Sequence, residues 1–326
     1  MINTADIFSI NSEMEFEKIA FQVFKFQFEN NTVYRSFCDL LYKNPSDITS
    51  LEDIPFLPIE FFKSHDILSS KKSIEKKFSS SGTTGSITSK HLITDLRVYE
   101  ESFNEGFKQF YGRVEDYTIL ALLPSYLERD GSSLIYMVDA LIKQTNKPKS
   151  GFYLDNLSEL KDTLIELENK GEKVLLIGVS FALLDLVESH KFQLKNTIVM
   201  ETGGMKGRRK ELVREELHAI LKEGFGIEEI HSEYGMTELL SQAYSKGHGI
   251  FECAKSMKIF TRDTEDALSI LENNKTGGIN IIDLANVNSC SFIATQDLGR
   301  VHNDGSFEII GRFDNSDIRG CNLMAL

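Results

Sequence analysis

The feature that most constrains the fold is an alternation of short apolar runs with amphipathic segments between residues 117 and 231. Strands that alternate with helices favour a parallel sheet covered by helices on its faces. We therefore predict an α/β fold with a mostly parallel sheet, extending to about residue 240. The predicted strands are residues 117–123, 173–178, 196–200 and 227–231, and the predicted helices are residues 132–143, 181–190 and 208–223.

Helices also precede this alternation. Residues 13–28 and 33–41 place apolar side chains at helical spacing, and residues 54–63 carry two prolines that predict a structured connector. A further helix should begin after Thr94 or Asp95, with Tyr99, Phe103, Phe107 and Phe110 on one face.

The pattern changes beyond Glu238 to short β-rich pieces separated by Asn and Gly turns. An antiparallel or barrel-like subdomain over residues 245–312 is predicted. Residues 313–326 would then form a hinge and a tail. The predicted strands of the subdomain are residues 249–253, 258–260, 278–283, 291–295 and 306–310.

A stretch rich in Ser, Thr and Gly, residues 77–90, is the most distinctive local sequence. Its glycines allow backbone N–H groups to converge on an anion, and its hydroxyls and one lysine add donors. Alternating residues on both sides predict that the loop joins two strands, unlike a Walker loop, which precedes a helix. An ordinary surface linker is the alternative. The candidate phosphate-binding residues are Ser80, Ser81, Gly82, Thr83, Thr84, Gly85 and Lys90.

Composition limits the classes of binding partner and the cellular compartment that we expect for this protein. A net charge of -13 offers no broad basic surface for nucleic acid, so a small molecule or a protein partner is favoured. The four cysteines are far apart in sequence without zinc spacing, and this indicates reduced thiols in a cytoplasmic protein. The N-terminus lacks a signal-peptide pattern, and no apolar window is long enough for a transmembrane segment.

Two polar segments follow predicted strands, where open parallel sheets bind ligands. The first is the glycine turn Glu201, Thr202, Gly203 and Gly204, which permits a flat ligand to approach the backbone. The second offers a ring in Tyr234, a turn in Gly235 and Met236, a hydroxyl in Thr237 and a carboxylate in Glu238, and these suit a base, a phosphate and Mg²⁺.

Two further charged groups lie beside glycine turns in the β-rich part. Asp297 could accept hydrogen bonds from a ribose, and Arg312 could donate to a ribose or a phosphate. Standing alone, these segments would be ordinary β-turns with a surface ion pair.

The order of these motifs resembles the adenylate-forming enzymes, which include acyl-CoA synthetases and peptide-synthetase adenylation domains. The shared motifs are Ser-Ser-Gly-Thr-Thr-Gly with Lys90, Tyr-Gly-Met-Thr-Glu, Asp-Leu-Gly-Arg and Gly-Arg-Phe-Asp. Three other segments, residues 54–62, 128–134 and 314–321, resemble the LuxE-like acyl-protein synthetases, related to phenylacetate-CoA ligases and named for the fatty-acid-activating component of bacterial luminescence.

The resemblance implies a role for each matched residue. Residues 80–85 and Lys90 would hold the ATP phosphates, and residues 201–204 and Tyr234 would contact adenine. Thr237 would touch the α-phosphate and Glu238 would bind Mg²⁺. Asp297 would hold the ribose hydroxyls, Arg312 would hold the ribose or a phosphate, and Asp314 would mark the hinge.

The chain departs from the wider superfamily in its C-terminal region. Members usually continue past the hinge into a mobile lid domain, which we expect to be absent here because the sequence ends at Leu326. In LuxE-like proteins a cysteine near the C-terminus accepts the acyl group, and Cys321 occupies that place. Neighbouring Arg319 would favour the thiolate.

Three hypotheses follow. The first is a ligase that uses ATP and Mg²⁺ to convert a carboxylic acid, in particular a fatty acid, into acyl-AMP, transfers the acyl group to Cys321 and passes it to a partner protein. The second is a ligase for CoA or a carrier protein, and the third is a nucleotide-binding scaffold without catalysis. An acyl pocket is expected between residues 120–126, 178–182 and 202–205, and His231 is left open as a general base.

Overall fold

The computed structural model describes residues 2–80, 88–124, 131–203 and 212–313. The helices are α1 (Thr4–Phe8), α2 (Glu13–Asn30), α3 (Thr32–Leu40), α4 (Phe61–Ser64), α5 (Leu96–Tyr111), α6 (Ser133–Thr145), α7 (Leu157–Asn169), α8 (Ser180–Ser189) and α9 (Arg214–Phe225). The strands are β1 (Leu57–Pro58), β2 (Lys76–Ser79), β3 (Lys90–Ile93), β4 (Thr118–Leu122), β5 (Gly151–Phe152), β6 (Val174–Val179), β7 (Thr197–Thr202), β8 (His231–Tyr234), β9 (Ala243–Ser245), β10 (Ile250–Cys253), β11 (Met257–Arg262), β12 (Thr276–Asp283), β13 (Phe292–Val301) and β14 (Phe307–Arg312).

The predicted α/β architecture is confirmed. Strands β5, β4, β6, β7 and β8 lie side by side in that order, and every pair is parallel. Helix α5 is also confirmed, with its four predicted aromatic side chains buried. Sequence reasoning missed the helices α1, α4 and α7 and the strands β1, β5 and β9. It also placed a strand at residues 227–231, whereas β8 spans His231–Tyr234. The misplacement arises because Ile230 is buried outside the strand, so its apolar character was taken for part of the strand.

The β-rich part is antiparallel, as predicted, and it continues the same sheet. Strand β8 pairs antiparallel with β9, and the order then runs β10, β14, β13, β12 and β11. Strand β1, from the proline-containing connector, pairs in parallel with β13. Strand β8 is therefore the point where the sheet changes from parallel to antiparallel.

Two apolar cores support the two parts of the sheet. One lies around the parallel strands and α5 to α9, and it includes fully buried Leu120 and Leu176. The other joins α2 and α3 to the antiparallel strands, and it includes Phe24 and Phe292. Gln27 of α2 donates to the backbone oxygens of Asn286 and Val287, so residues far apart in sequence are held together inside the second core.

The Ser/Gly-rich loop joins two strands, as predicted. Strands β2 and β3 form an antiparallel hairpin in which Ser79 lies opposite Lys90. Ser79 also donates its backbone N–H to the carbonyl of Gly131, which fixes the hairpin near the start of α6. None of the helices within the described ranges is both long and apolar enough to cross a bilayer.

Candidate active site

A cavity of about 180 Å³ opens at the carboxyl ends of β7 and β8. We call it the central cavity. The hairpin and the Tyr-Gly-Met-Thr-Glu turn share this opening, so the two motifs lie in one place. The described lining residues are Ser79, Tyr99, Ser132, Ser133, Leu134, Met137, Thr202, Gly203, Glu233, Gly235, Met236, Thr237 and Gln242.

Parallel pairing of β7 with β8 explains why these polar residues meet. Thr202 and Glu233 are register partners at the ends of the two strands. Helix α6 begins beside them, and the Ser132 side chain caps it by accepting a hydrogen bond from the N–H of Ile135. Strand ends and a helix N-terminus thus surround one polar space, as expected for ligand sites in open sheets.

Three of the predicted site residues form a second group, which we call the tyrosine–aspartate cluster: Tyr234, Asp297 and Arg312. The Tyr234 hydroxyl donates to Asp297 Oδ2 at 2.7 Å, and Arg312 Nε lies 3.4 Å from Asp297 Oδ1. Asp297 and Arg312 are opposite each other in the pairing of β13 with β14. The fold therefore brings together residues from three strands that the sequence places far apart.

Aromatic packing holds the ring of this cluster. Tyr234 makes edge contacts with Phe251 and Phe307, at centroid distances of 5.9 and 5.7 Å. Burial raises the pKa of Asp297, and the Tyr234 hydroxyl and the guanidinium of Arg312 oppose that shift. Burial also holds the pKa of Tyr234 well above its ordinary value, so this hydroxyl remains a donor at neutral pH.

His91 connects the hairpin to the turn. Its Nδ1 lies 2.8 Å from the carbonyl oxygen of Thr237, and its Nε2 lies 2.9 Å from Asn286 Oδ1. Asn286 Nδ2 in turn donates to the carbonyl oxygen of Glu238 at 2.7 Å. His91 is fully buried, and burial lowers its pKa to about 4. The ring is therefore neutral near pH 7 and has a single N–H to donate.

The base of the Ser/Gly-rich loop also contacts the turn. Ser89 donates its backbone N–H to Ser80 Oγ at 3.0 Å, and the Ser89 side chain is hydrogen-bonded to the carboxyl of Glu238. Glu238 is 5% exposed, and burial raises its pKa. Ser80 and Glu238, predicted as phosphate and metal ligands, thus lie on either side of Ser89.

Lys90 lies on β3 at the same end of the hairpin, and its ammonium pairs with Asp66 Oδ1 at 2.9 Å. The Asp66 side chain is 63% exposed, so this ion pair contributes little to stability. The lysine can exchange Asp66 for another anion at small cost.

Neighbouring residues at the end of β7 point to opposite faces of the sheet. Thr202 lies in the central cavity, together with Gly203, whose φ of 66° requires the left-handed region. Glu201 lies on the other face, where His218 Nε2 and Arg214 Nε are 3.7 and 3.8 Å from its Oε1. Glu201 is therefore not among the described residues that line the cavity.

Sequence reasoning missed Glu233 and Gln242, which also line the cavity. Glu233 Oε2 accepts a hydrogen bond from Thr202 Oγ1 at 2.6 Å, and burial raises the Glu233 pKa to about 7. A Cβ on Gly235 would approach Glu233 Oε1 to 2.5 Å, which explains the glycine at this position. A carboxylate placed at a strand end was the available signal, since Glu233 directly precedes Tyr234.

His231, left open as a general base, begins β8 at the end remote from the cavity. Its Nδ1 lies 3.2 Å from the Tyr111 hydroxyl, and burial together with Lys246 lowers its pKa to about 4. Several predicted positions lie outside the described residues: Ser81, Gly82, Thr83, Thr84, Gly85, Gly204, Asp314, Arg319 and Cys321. The same holds for residues 125–126 and 204–205 of the expected acyl pocket.

Comparison with known proteins identifies related chains. A family model described as acyl-protein synthetase, LuxE, matches residues 8–325. Among curated protein sequences, no relative matches. The structure resembles a 2-hydroxyisobutyryl-CoA ligase in complex with 2-HIB-AMP, with a TM-score of 0.69 and 14% identity over 93% of this chain and 68% of that one.

A second resemblance is to ATP-bound MatB from Rhodopseudomonas palustris, with a TM-score of 0.56 and 14% identity over 74% of this chain. The match covers 49% of MatB, so this chain spans about half the length of that protein. At these identities the likeness shows the fold, which is that of the N-terminal domain of adenylate-forming enzymes.

Proposed function

The chain belongs to the LuxE family of acyl-protein synthetases, and from that premise we propose that it uses ATP to activate a carboxylic acid as acyl-AMP and then forms an acyl thioester. The observation that supports this proposal is the shared opening of the hairpin and the Tyr-Gly-Met-Thr-Glu turn. Both line the central cavity, and His91 and Ser89 join them at hydrogen-bonding distance.

ATP would lie across this opening. Residues 80–85 and Lys90 would contact its phosphates, since Lys90 has only the exposed Asp66 as a described ion-pair partner. Asp297 would hold the ribose, Arg312 would hold the ribose or a phosphate, and Tyr234 would contact the adenine. An aspartate that already has a donor on one oxygen and a cation on the other is pre-oriented to accept from ribose hydroxyls.

Glu238 fits a divalent cation. Its carboxyl is buried, burial raises its pKa, and a nearby cation would favour the ionised form. Mg²⁺ commonly binds one or two carboxylates together with substrate phosphates, so a single protein carboxylate suffices. When bound, the ion neutralises charge on the phosphate oxygens.

The first chemical step would form a mixed anhydride. A carboxylate oxygen attacks the α-phosphorus of ATP, the new bond joins that oxygen to phosphorus, and the bond to the β-phosphate breaks to release pyrophosphate. Lys90 would stabilise the charge that develops on the phosphates, and Thr237 would donate to an α-phosphate oxygen.

The second step would transfer the acyl group to a thiol. The Cys321 sulfur attacks the acyl carbon, a carbon–sulfur bond forms, AMP leaves and the thiol proton passes to solvent. Burial raises the pKa of the other cysteines, to about 12 for Cys38 and Cys253 and further for Cys290, which makes them poor nucleophiles. The raised pKa values of these three cysteines leave Cys321 as the proposed acceptor.

The thioester would then pass to a partner protein in the cytoplasm. The family resemblance favours a fatty acid as the substrate. CoA or a carrier protein as the direct acceptor is the competing outcome, and it would leave Cys321 without an acyl group.

Carboxylate-dependent exchange of labelled pyrophosphate into ATP tests the first step, with a panel of fatty and short carboxylic acids. Intact mass after incubation with ATP, Mg²⁺ and the acid tests the second step. We expect one acyl adduct on the wild type and none on Cys321→Ser, with Cys253→Ser as the matched control that keeps the adduct. Exchange without an adduct, together with acyl-CoA formation, would replace the thioester proposal with the CoA reaction. ATP binding without exchange by any acid would support the scaffold.

A further inference from the structure

The central cavity contains hydrogen-bond acceptors that the described residues do not fully pair. Glu233 lies at the end of β8 with its side chain on the cavity side, whereas the next residue, Tyr234, faces Asp297. Glu233 Oε2 accepts from Thr202. Its other oxygen, Oε1, lies beside Gly235 on a side chain that is partly exposed, and Thr202 is the only donor to this carboxyl among the described residues.

Gln242 provides a second unpaired acceptor. Its side chain is 4% exposed and lines the same cavity, and its Oε1 has no hydrogen-bond partner in the described part of the chain. Gln242 Nε2 makes a long contact of 3.4 Å to the carbonyl oxygen of Leu240. A buried polar atom without a partner is costly, so the Gln242 oxygen indicates a bound group that completes it, whereas the partly exposed Glu233 carboxyl is open to a donor from the cavity.

The charges around the cavity also favour a donor or a cation beside Glu233. The described lining residues include no lysine and no arginine, and burial, with a smaller contribution from the charge of Glu201, raises the Glu233 pKa. A carboxylate in such a place is stabilised by a donor or a cation from outside the protein. The start of α6 at Ser132 and Ser133, on the same cavity, instead favours an anion, which suits the carboxylate of the acid.

We propose that the acid carries a hydrogen-bond donor, a hydroxyl or an ammonium group close to its carboxyl group, and that Glu233 and Gln242 recognise that donor. The side chains of Leu134, Met137 and Met236 complete the cavity and would contact the hydrocarbon part of the acid. This inference rests on the proposed acyl-adenylation, since it assigns the acid to this cavity. It narrows the substrate to a hydroxy acid or an amino acid, of short or long chain.

Matched acids separate the two donors. Butanoic and dodecanoic acids would each be compared with their 2-hydroxy, 3-hydroxy, 2-amino and 3-amino analogues in pyrophosphate exchange, so that chain length and donor are varied independently. We expect at least one substituted acid to have a kcat/KM about tenfold or more above its unsubstituted parent, because an acceptor site left unpaired rejects the analogue that lacks the donor.

Two variants identify the role of Glu233. Glu233→Gln keeps an acceptor but removes the charge, so a hydroxy-acid preference should survive within about threefold, and an amino-acid preference should fall about tenfold or more. Glu233→Leu removes the acceptor and should abolish either preference. Circular dichroism and melting temperature would verify that both variants fold.

Direct calorimetric titration of the same acids, without ATP, keeps the two proposals separate. Binding of a substituted acid without exchange would support the recognition site and contradict the adenylation. Exchange that prefers the unsubstituted acids, or that falls equally for all acids in Glu233→Leu, would overturn the recognition site and leave adenylation standing. If the protein neither binds any of these acids nor catalyses exchange with them, both the recognition site and the adenylation proposal are overturned.

Discussion

Two adjacent residues of β8, Glu233 and Tyr234, lie in two different environments, which differ in how their polar groups are paired. Tyr234 belongs to the tyrosine–aspartate cluster, where the hydroxyl, the carboxylate and the guanidinium satisfy one another. Glu233 belongs to the central cavity, where its partly exposed carboxyl accepts only from Thr202 among the described residues and the buried Gln242 oxygen has no partner there. The alternation of side chains along a strand places these neighbours on opposite faces of the sheet.

The two environments differ in how far their polar groups are already paired before a ligand binds. A cluster whose charges are paired is stable by itself, and a ligand needs only to exchange some of its partners. A cavity with unpaired acceptors is less stable until a donor enters, and this makes it selective. We therefore expect substitutions in the cluster to change ATP binding and substitutions in the cavity to change the choice of acid.

Glu238 is hydrogen-bonded to Ser89 and is the proposed metal ligand, so its replacement should have the largest effect. Glu238→Gln keeps the shape but removes the charge that would hold a divalent cation, and pyrophosphate exchange should fall about 1,000-fold, equivalent to about 4 kcal/mol. The exposed Glu272→Gln serves as the control, since the Glu272 side chain is 86% exposed. A fall below tenfold would contradict a metal-binding role.

Replacement of His91 tests whether stability depends on the contacts that this residue makes between the hairpin and the Tyr-Gly-Met-Thr-Glu turn. His91→Leu removes the one N–H that the neutral ring donates to either the Thr237 carbonyl or the Asn286 side chain, and a buried acceptor loses its donor, so the free energy of unfolding should fall by about 3 kcal/mol. Urea denaturation measures this change. His65→Leu, at an exposed histidine, should alter stability by less than about 0.5 kcal/mol, and an equal loss in both variants would remove the special role of His91.

Asp297 tests the cluster alone. Asp297→Ala removes the acceptor that holds Tyr234 and Arg312, and the KM for ATP should rise about 30-fold, or about 2 kcal/mol, with the relative preference among acids unchanged. Asp162→Asn, at a side chain that is 70% exposed, is a suitable control. A changed order of acids in Asp297→Ala would mean that the two environments are not separate.

The pH dependence of stability tests the environment of Glu233 in the central cavity. Because the folded-state pKa is raised to about 7, the native protein holds this proton more tightly than the unfolded chain does, and stability falls as pH rises towards and through 7. Glu233→Gln should therefore be more stable than the wild type by about 2 kcal/mol at pH 8 and nearly equal at pH 5. Thermal melts at the two pH values measure this difference, and a gain that is independent of pH would contradict it.

The ion pair of Lys90 should have the smallest effect. Asp66→Asn releases the lysine from an exposed partner, so stability should change by less than about 0.5 kcal/mol and exchange should be kept. Lys90→Ala provides the contrast, because it should reduce exchange if the lysine contacts phosphate. Equal losses in both variants would show that Lys90 acts through Asp66.

Much of the fold could be predicted because its signals are local. The periodicity of residues 13–28 and the buried aromatic face of α5 correspond to helices in the structure. Strand β5 was missed because two residues give no periodic signal, and Ile230 was assigned to a strand because apolar character alone does not distinguish a strand from the buried residue preceding it.

Some site residues could likewise be identified from local sequence, and others only from the tertiary structure. Tyr234 and Asp297 were identified through motifs, and their hydrogen bond became evident only when β8 and β13 were placed in one sheet. His91 and Gln242 belong to no recognisable motif. Their importance depends on burial and on partners such as Asn286, which lies 195 positions away in sequence.

The amino-acid sequence by itself determined the alternation of strands and helices, the Ser/Gly-rich loop and the order of the motifs, since each depends on residues close together in the chain. Only the tertiary structure decided that the hairpin and the turn share one cavity, that Glu201 and Thr202 point to opposite faces, and that the buried Gln242 oxygen has no partner among the described residues. Hydrogen-bond satisfaction and burial are properties of groups brought together from distant positions, so they exist only once the chain has folded.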